Sequence, residues 1–363
     1  MNRDRLNNMK IRKIGPDCFF NAVSCNLEYS NKLWLSLYYT YGIFIYNKGL
    51  FTKFIMNKQP KDYLVPENML YFRTKPLSLY RQYYDKFIEN NISNTFLNKY
   101  LKSIELNQIE DLKYIKDKFL NNNISLILPV NVSMLKSEYQ KSASRFPQGD
   151  MTYHFVNLFD IDIKNSDAFI IDAYFQFKGN IPKDLLINSV KDSINGFKNS
   201  KIYYIELDNE LDNDITRAIN YSLDLYKREE IIIDGIIFES SLEATESLYY
   251  DIYDILELFN SLFKEYTSQF MSFQLIPIRR QKDSICEIIL ELKKYNFIMI
   301  SDDLINLLVT NSKLWNRLDY ILDLIFLRNQ NIIKEKHRIR QCLNDILDNE
   351  ILINKEIKLL YMP

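Results

Sequence analysis

Residues 153–175 read YHFVNLFDIDIKNSDAFIIDAYF. The segment from His154 to Asp162 has a period of two, the cluster Lys164-Asn165-Ser166-Asp167 breaks it, and AFIIDAYF resumes an apolar run. Two such runs around turn-forming residues predict a β-hairpin and therefore an antiparallel sheet. A turn centred near Ile163 sets His154 across from Asp172. Asp172 interrupts an apolar run, where an unpaired carboxylate is costly to bury, and the imidazole supplies the partner it needs. Asp160 and Asp162 are alternatives for that role, but both lie beside the turn, where Asp is favoured for its backbone hydrogen bonds.

Outward from this hairpin, ISLILPVNV (124–132) and KIYYIEL (201–207) read as strands, giving a sheet of about four strands. PKDLLINSVKDSI (182–194) reads as a helix before the last of them. Upstream, CFFNAVSCNLEY (18–29) and LWLSLYYTYGIFIY (33–46) have helical spacing, and NMLYFRT (68–74) is a short strand between Pro66 and Pro76. LSLYRQYYDKFIEN (77–90), TFLNKYLKSI (95–104) and IEDLKYIKDKFLNNN (109–123) follow as amphipathic helices. Beyond Glu206, the stretches 215–229, 244–270, 283–295 and 315–347 are all helical in period. IIIDGIIF (231–238) fits either a buried strand or a helix start. The expectation is an α+β domain at residues 1–206 and a helical domain at residues 207–363.

Chemistry concentrates at Gly15-Pro16-Asp17-Cys18. Proline is favoured at the first helical position, which places Cys18 in the first turn. Unpaired N–H groups and the positive end of the helix dipole there favour thiolate over thiol. Cys25 lies seven residues further on, too deep in the helix for that help, and reads as packing. A thiolate nucleophile needs a base, and His154 is one of two histidines in the chain. Cys18, His154 and Asp172 then make a triad of nucleophile, base and orienting acid. His337, between charges in KEKHRIRQ, and Cys342 after it read as surface, and Arg279, Arg280 and Lys282 as a solvated helix end.

Composition excludes other classes. The 363 residues carry 46 Lys and Arg against 47 Asp and Glu, a net charge of −1 that gives no field for a nucleic-acid backbone. Seven isolated glycines cannot write a dinucleotide or Walker loop. Two histidines and four scattered cysteines make no zinc pattern, so no metal and no bound cofactor are expected. Cysteines at this density, an N-terminus without an apolar core and no apolar run long enough to span a bilayer point to a soluble cytoplasmic protein without a membrane partner. Residues 1–100 hold 15 basic against 7 acidic side chains, whereas residues 208–257 hold 3 against 14. That acidic stretch is either a solvated helix face or a surface that attracts a cationic substrate.

The order of these motifs, a Cys near the N-terminus, then LILPVNVSMLKSEYQ, then His154-Phe-Val-Asn-Leu-Phe-Asp and a strand carrying Asp172, resembles the papain-like cysteine enzymes. More narrowly it is similar to the acyltransferase family typified by the N-terminal domain of the butirosin-biosynthesis acyltransferase, to which an amide-forming enzyme of closthioamide biosynthesis is related. The resemblance covers roughly residues 10–206. It implies a papain-like fold and transfer of an acyl chain from an acyl or peptidyl carrier protein, presented on phosphopantetheine, to an amine or polyamine. Carried over, Cys18 matches the nucleophile, His154 the base and Asp172 the orienting acid. The chain departs from the pattern at Leu158-Phe159-Asp160, where the family often has Gly-Tyr-Asp. It also has Arg12 where papain-like peptidases place the oxyanion glutamine. The backbone N–H of Cys18, with Arg12 or Asn21, is then the expected oxyanion or substrate-binding set. Hydrolysis of the same intermediate, as a peptidase or thioesterase, and a non-enzymatic interaction role are the alternatives.

Overall fold

The structure, a computed structural model, describes residues 6, 8–15, 18–40, 44–49, 97–135, 137–139, 153–197, 201–207, 212–262, 267–294, 300–328 and 330–359. The expected strand at 68–74 and helix at 77–90 lie outside these residues, as do Pro16 and Asp17. The chain is α+β and divides into two compact units. The first holds the described residues up to Tyr39 and from 97 to Ile215, and the second holds Thr40, 44–49 and everything from Thr216 onward. A single boundary after Glu206 is therefore not what the contacts draw. Strand β1, Ile45–Tyr46, pairs with Glu239 and Ser240 of the second unit, which takes this early segment out of the first.

In the first unit, helix α1 (Cys18–Tyr29) precedes strand β2 (Leu101–Glu105), helix α2 (Leu112–Lys118), and strands β3 (Leu126–Asn131), β4 (Tyr153–Asp162), β5 (Asp167–Asp172) and β6 (Phe177–Pro182). Helix α3 (Lys183–Asp192) and strand β7 (Lys201–Ile205) complete it. The strands form one antiparallel sheet in the order β2-β7-β3-β4-β5-β6. Its six strands exceed the expected four, because two segments carry a weak strand pattern. TFLNKYLKSI, expected as a helix, makes one helical turn at Leu97–Tyr100 and then enters β2. AFIIDAYF, expected to run as a strand to Phe175, stops at Asp172, and β6 begins after a turn at Ala173–Gln176.

Alternation along the strands makes two apolar layers. Val156, Leu158, Leu128 and Ile170 pack with Ile115 of α2 and Leu186 and Val190 of α3. Phe159, Ile171 and Ala173 pack with Cys25 and Tyr29 of α1 and with Leu6. Helix α1 is apolar almost all round and is correspondingly buried, Glu28 alone escaping. Two buried amides pin it to the sheet, Asn157 Nδ2 donating to the Ala22 carbonyl and Asn26 Nδ2 to the Ser125 carbonyl, each at 2.9 Å. The stretch expected as a second helix is a 3₁₀ segment, Leu33–Tyr38, tied back to α1 through Ser24 and Tyr39.

Helix α4 (Asp212–Tyr226) crosses the boundary between the units. In the second, IIIDGIIF resolves into strands β8 (Glu230–Ile233) and β9 (Ile236–Ser240), joined at Asp234-Gly235 with φ of 52° and 76°. Positive φ at both positions is the signature of a tight hairpin turn for which Asp-Gly is well suited. The unit expected to be helical thus contains a small sheet, β1-β9-β8. The long helices α5 (Ser241–Leu262), α6 (Thr267–Lys294), α7 (Asp302–Leu327) and α8 (Lys336–Leu359) follow, with α6 along α7, α7 along α8 and α8 along α5. No helix among the described residues is long and apolar enough to cross a membrane.

Candidate active site

Cys18 is the first residue of α1, the position at which the helix leaves its N–H groups unpaired. The approach to it depends on Gly15, whose φ is 115° and whose missing Cβ would stand 2.6 Å from the Cβ of Phe20. Asn21 Nδ2 donates to the Gly15 carbonyl at 3.2 Å and holds this entry loop onto the helix.

His154 stands near the start of β4, paired across the ladder with Val130 of β3. The residue before His154, Tyr153, depends on Gly196, where a Cβ would lie 2.0 Å from its ring. In the hairpin, Asn157 pairs with Ile171 and Leu158 with Ile170, and a bulge before Asp160 shifts the register by one, down to Asp162 and Asp167. One step further this register sets Asp172 across from Val156, so His154 and Asp172 are diagonal neighbours rather than directly opposed. The expected alignment differs because the turn spans residues 163–166, which moves the pairing by three residues, and the bulge takes one of them back. The parity is the same, and both side chains project from one face. His154 Nε2 and Asp172 Oδ1 are 2.9 Å apart.

The Asp172 carboxylate is fully buried and accepts two further hydrogen bonds, from the Phe175 N–H to Oδ1 at 2.9 Å and from the Tyr139 O–H to Oδ2 at 3.1 Å. The first explains why β5 ends here, because an Asp that captures an N–H three residues on builds a turn. The imidazole bonded to Asp172 through Nε2 is also hydrogen-bonded by the Cys18 side chain. Cys18 and His154 are 1% and 3% exposed. Tyr174 and Phe175 close over the His154 ring at centroid distances of 5.1 and 5.0 Å.

Burial is the largest influence on His154 and works to discharge it, but the charges of Asp172 and Cys18 and their hydrogen bonds reverse this and raise its pKa to about 10. An imidazolium facing the sulfur at a helix start is the setting in which a cysteine becomes a nucleophile. Cys25, in the same helix, has the opposite surroundings. Burial, then the charges of Glu28 and Asp172, hold its pKa well above the usual thiol value, and it packs among Leu6, Tyr29 and Phe159.

The other candidates separate from this cluster. Arg12 lies 3.3 Å from Glu28, which is ten residues, or about 15 Å of helix, from Cys18. Asn21 spends an amide N–H on Gly15. The ion pair with Glu28 holds Arg12 toward the far end of α1, away from the expected oxyanion position, whereas Asn21, one turn from Cys18, is held by the entry loop through one of its two amide N–H groups. Asp160 accepts from the Ile161 N–H at 2.9 Å, and Asp162 caps Lys164 and Asn165 in the turn, a bond from Asn165 lowering its pKa first of all. His337 is exposed, but Cys342, expected near the surface, is fully buried with its pKa raised to about 11 chiefly by burial. Lys282 is no helix end. It lies inside the 28-residue α6, buried against Glu350, and Arg279 pairs with Asp319. Among the described residues no three His, Cys, Asp or Glu side chains gather as a metal site. Tyr139 was not legible beforehand, since a lone tyrosine in the polar segment LKSEYQ carries no periodicity. No protein-family model matches this chain, and no curated protein sequence matches it.

Proposed function

We propose that this chain is a cysteine-dependent acyltransferase on a papain-like scaffold. It would move an acyl group from a carrier-protein thioester to an amine and form an amide. The observation that carries the reading is the chain of contacts from a thiol at a helix start, through a doubly hydrogen-bonded imidazole, to a buried carboxylate. The Cys18 sulfur attacks the thioester carbonyl, the carbonyl–sulfur bond to the carrier breaks, and the departing thiolate takes the proton from His154. In the second half the amine attacks acyl-Cys18, His154 accepts the amine proton and returns it to the Cys18 sulfur, and the amide leaves. The Cys18 N–H at the start of α1 is the oxyanion donor this reading assigns.

The carrier, its phosphopantetheine arm and the amine rest on the resemblance and on charge. Support from the acidic stretch is narrower than the sequence suggests. Lys48 lies 2.6 Å from Asp251 and 3.4 Å from Asp254, Tyr46 donates to Asp251, and Lys336 lies 3.6 Å from Glu257. Part of this acidic charge is thus offset inside the second unit by Lys48 and Lys336, and Glu243 with Glu246, three residues apart on α5, is the pair taken for charge reversal. Hydrolysis uses the same acyl-enzyme, and product analysis separates the two. The protein is incubated with an acyl N-acetylcysteamine thioester, with and without a diamine. Amide formed in preference to free acid supports transfer, and free acid alone at any amine concentration makes the enzyme a thioesterase.

A further inference from the structure

We infer that Tyr139 is a positioning residue for the triad, its buried phenol O–H holding the second oxygen of Asp172 so that the carboxylate keeps one orientation toward His154. This rests on the proposed role of the triad and extends it to a fourth side chain.

The geometry is specific. Asp172 has two oxygens and is fully buried, out of reach of bulk solvent, and the protein supplies donors to both. Oδ1 has two, His154 Nε2 and the Phe175 N–H. Oδ2 receives the Tyr139 O–H at 3.1 Å. Without it the carboxylate can rotate about its side-chain bond, and the imidazole turns with it, away from Cys18. Tyr139 is itself fixed. It is fully buried, its ring stacks on Phe177 of β6 at 4.2 Å with 19° between the planes, and Phe175 meets it edge-on at 6.4 Å. Burial, and next the charge of Asp172, keep its pKa well above that of a free phenol, so it donates and does not ionise at working pH. The hydroxyl also shares the carboxylate charge, which otherwise acts on His154 alone.

Tyr139→Phe removes the hydroxyl and keeps both ring contacts. Two readouts decide. With benzoyl and octanoyl N-acetylcysteamine thioesters as donors, kcat is expected to fall by up to about a hundredfold with KM little changed, the scale of loss when a catalytic group is misplaced by about 1 Å. With two histidines in the chain, the imidazole signals of ¹⁵N-histidine-labelled protein are assigned by His337→Gln, and the Nε2–H resonance of His154 is expected to move downfield in Tyr139→Phe. The second readout needs no turnover, so it judges Tyr139 even if wild type fails to form an acyl-enzyme and the proposed function falls. Tyr139→Leu, which loses ring and hydroxyl together, controls for packing by its melting temperature. A Tyr139→Phe protein with wild-type kcat, or with the His154 resonance unmoved, overturns the inference and leaves Tyr139 as a core residue.

Discussion

Each unit of the molecule buries a cation against a carboxylate that also accepts from a tyrosine. In the first, His154 meets Asp172 and Tyr139 donates to the same carboxylate. In the second, Lys282 of α6 meets Glu350 of α8, Tyr226 donates to Glu350, and the Lys282 ammonium lies 5.2 Å from the Tyr226 ring centre. Both clusters are nearly closed to solvent. The difference lies in what remains after the partners are counted. Lys282 faces a carboxylate and a ring. The thiol one turn along its helix, Cys286, is held protonated, burial above all raising its pKa to about 12 while its S–H donates to the Leu308 carbonyl at 3.1 Å. His154, in contrast, hydrogen-bonds the Cys18 side chain as well as Asp172. Buried charge therefore does not by itself mark a site. What supports the proposed site is a buried charge that hydrogen-bonds a thiol at a helix start.

The largest expected effect breaks the first cluster and leaves the second whole. Asp172→Asn is expected to lower the rate of acyl transfer by about 10⁴, the loss seen when the acid of such a triad is neutralised, while the protein stays folded by circular dichroism. A folded variant with full activity would end the role of Asp172. The converse substitution sharpens the comparison. Lys282→Met leaves Glu350 buried without its cation and is expected to cost about 3–5 kcal/mol of stability in denaturant unfolding, with the transfer rate of the folded fraction unchanged. A rate loss at unchanged stability would mean that the second cluster serves the chemistry.

Titration gives a smaller effect that belongs to the first cluster. The folded pKa of His154 is raised above its ordinary 6.5, so its proton contributes stability in full below about 6.5 and loses it as pH rises through the folded value. In a Cys18→Ala background, which removes the thiol's own ionisation and its share of the raise, Asp172 alone still raises the imidazole pKa, so the melting temperature is expected to decline as pH rises above about 6.5, over a narrower window than in wild type, and Asp172→Asn is expected to flatten the decline. An unchanged slope in the double variant would locate the effect elsewhere. The weakest expected effect concerns the acceptor. Glu243→Lys with Glu246→Lys, the first half-buried and the second exposed, is expected to raise KM for a diamine a few-fold, as is added salt, because surface charges act over a Debye length of about 8–10 Å. Indifference to both makes this stretch a solvated face.

Legibility followed the range over which each feature is written. The hairpin is local, and its period of two with a polar turn brought His154 and Asp172 within reach of each other, but turn length moved the alignment from opposite toward diagonal, and only the bulge, which takes one residue back, restores the parity that puts both on one face. Gly15 through Cys18 is also local, and scarcity helped, since two histidines leave few choices of base. Strand β6, FKGNIP, contains Gly and Pro and lacks alternation, so its pairing with β5 comes from the sheet rather than from its own pattern. The Asp234-Gly235 turn was written in the chain, and its dipeptide decides between strand and helix for IIIDGIIF. Tyr139 meets Asp172 across 33 residues and Lys282 meets Glu350 across 68, and such pairings leave no local period to read.

The central claim is that Cys18, and not Cys25 in the same helix, carries the acyl group. Intact-protein mass spectrometry after mixing wild type, Cys18→Ala and Cys25→Ala with benzoyl and octanoyl N-acetylcysteamine thioesters tests it. The expected result is a gain of one acyl group on wild type and on Cys25→Ala, none on Cys18→Ala, and a modified peptide that maps to Cys18. Wild type left at its unmodified mass, or an adduct that persists in Cys18→Ala, would contradict it.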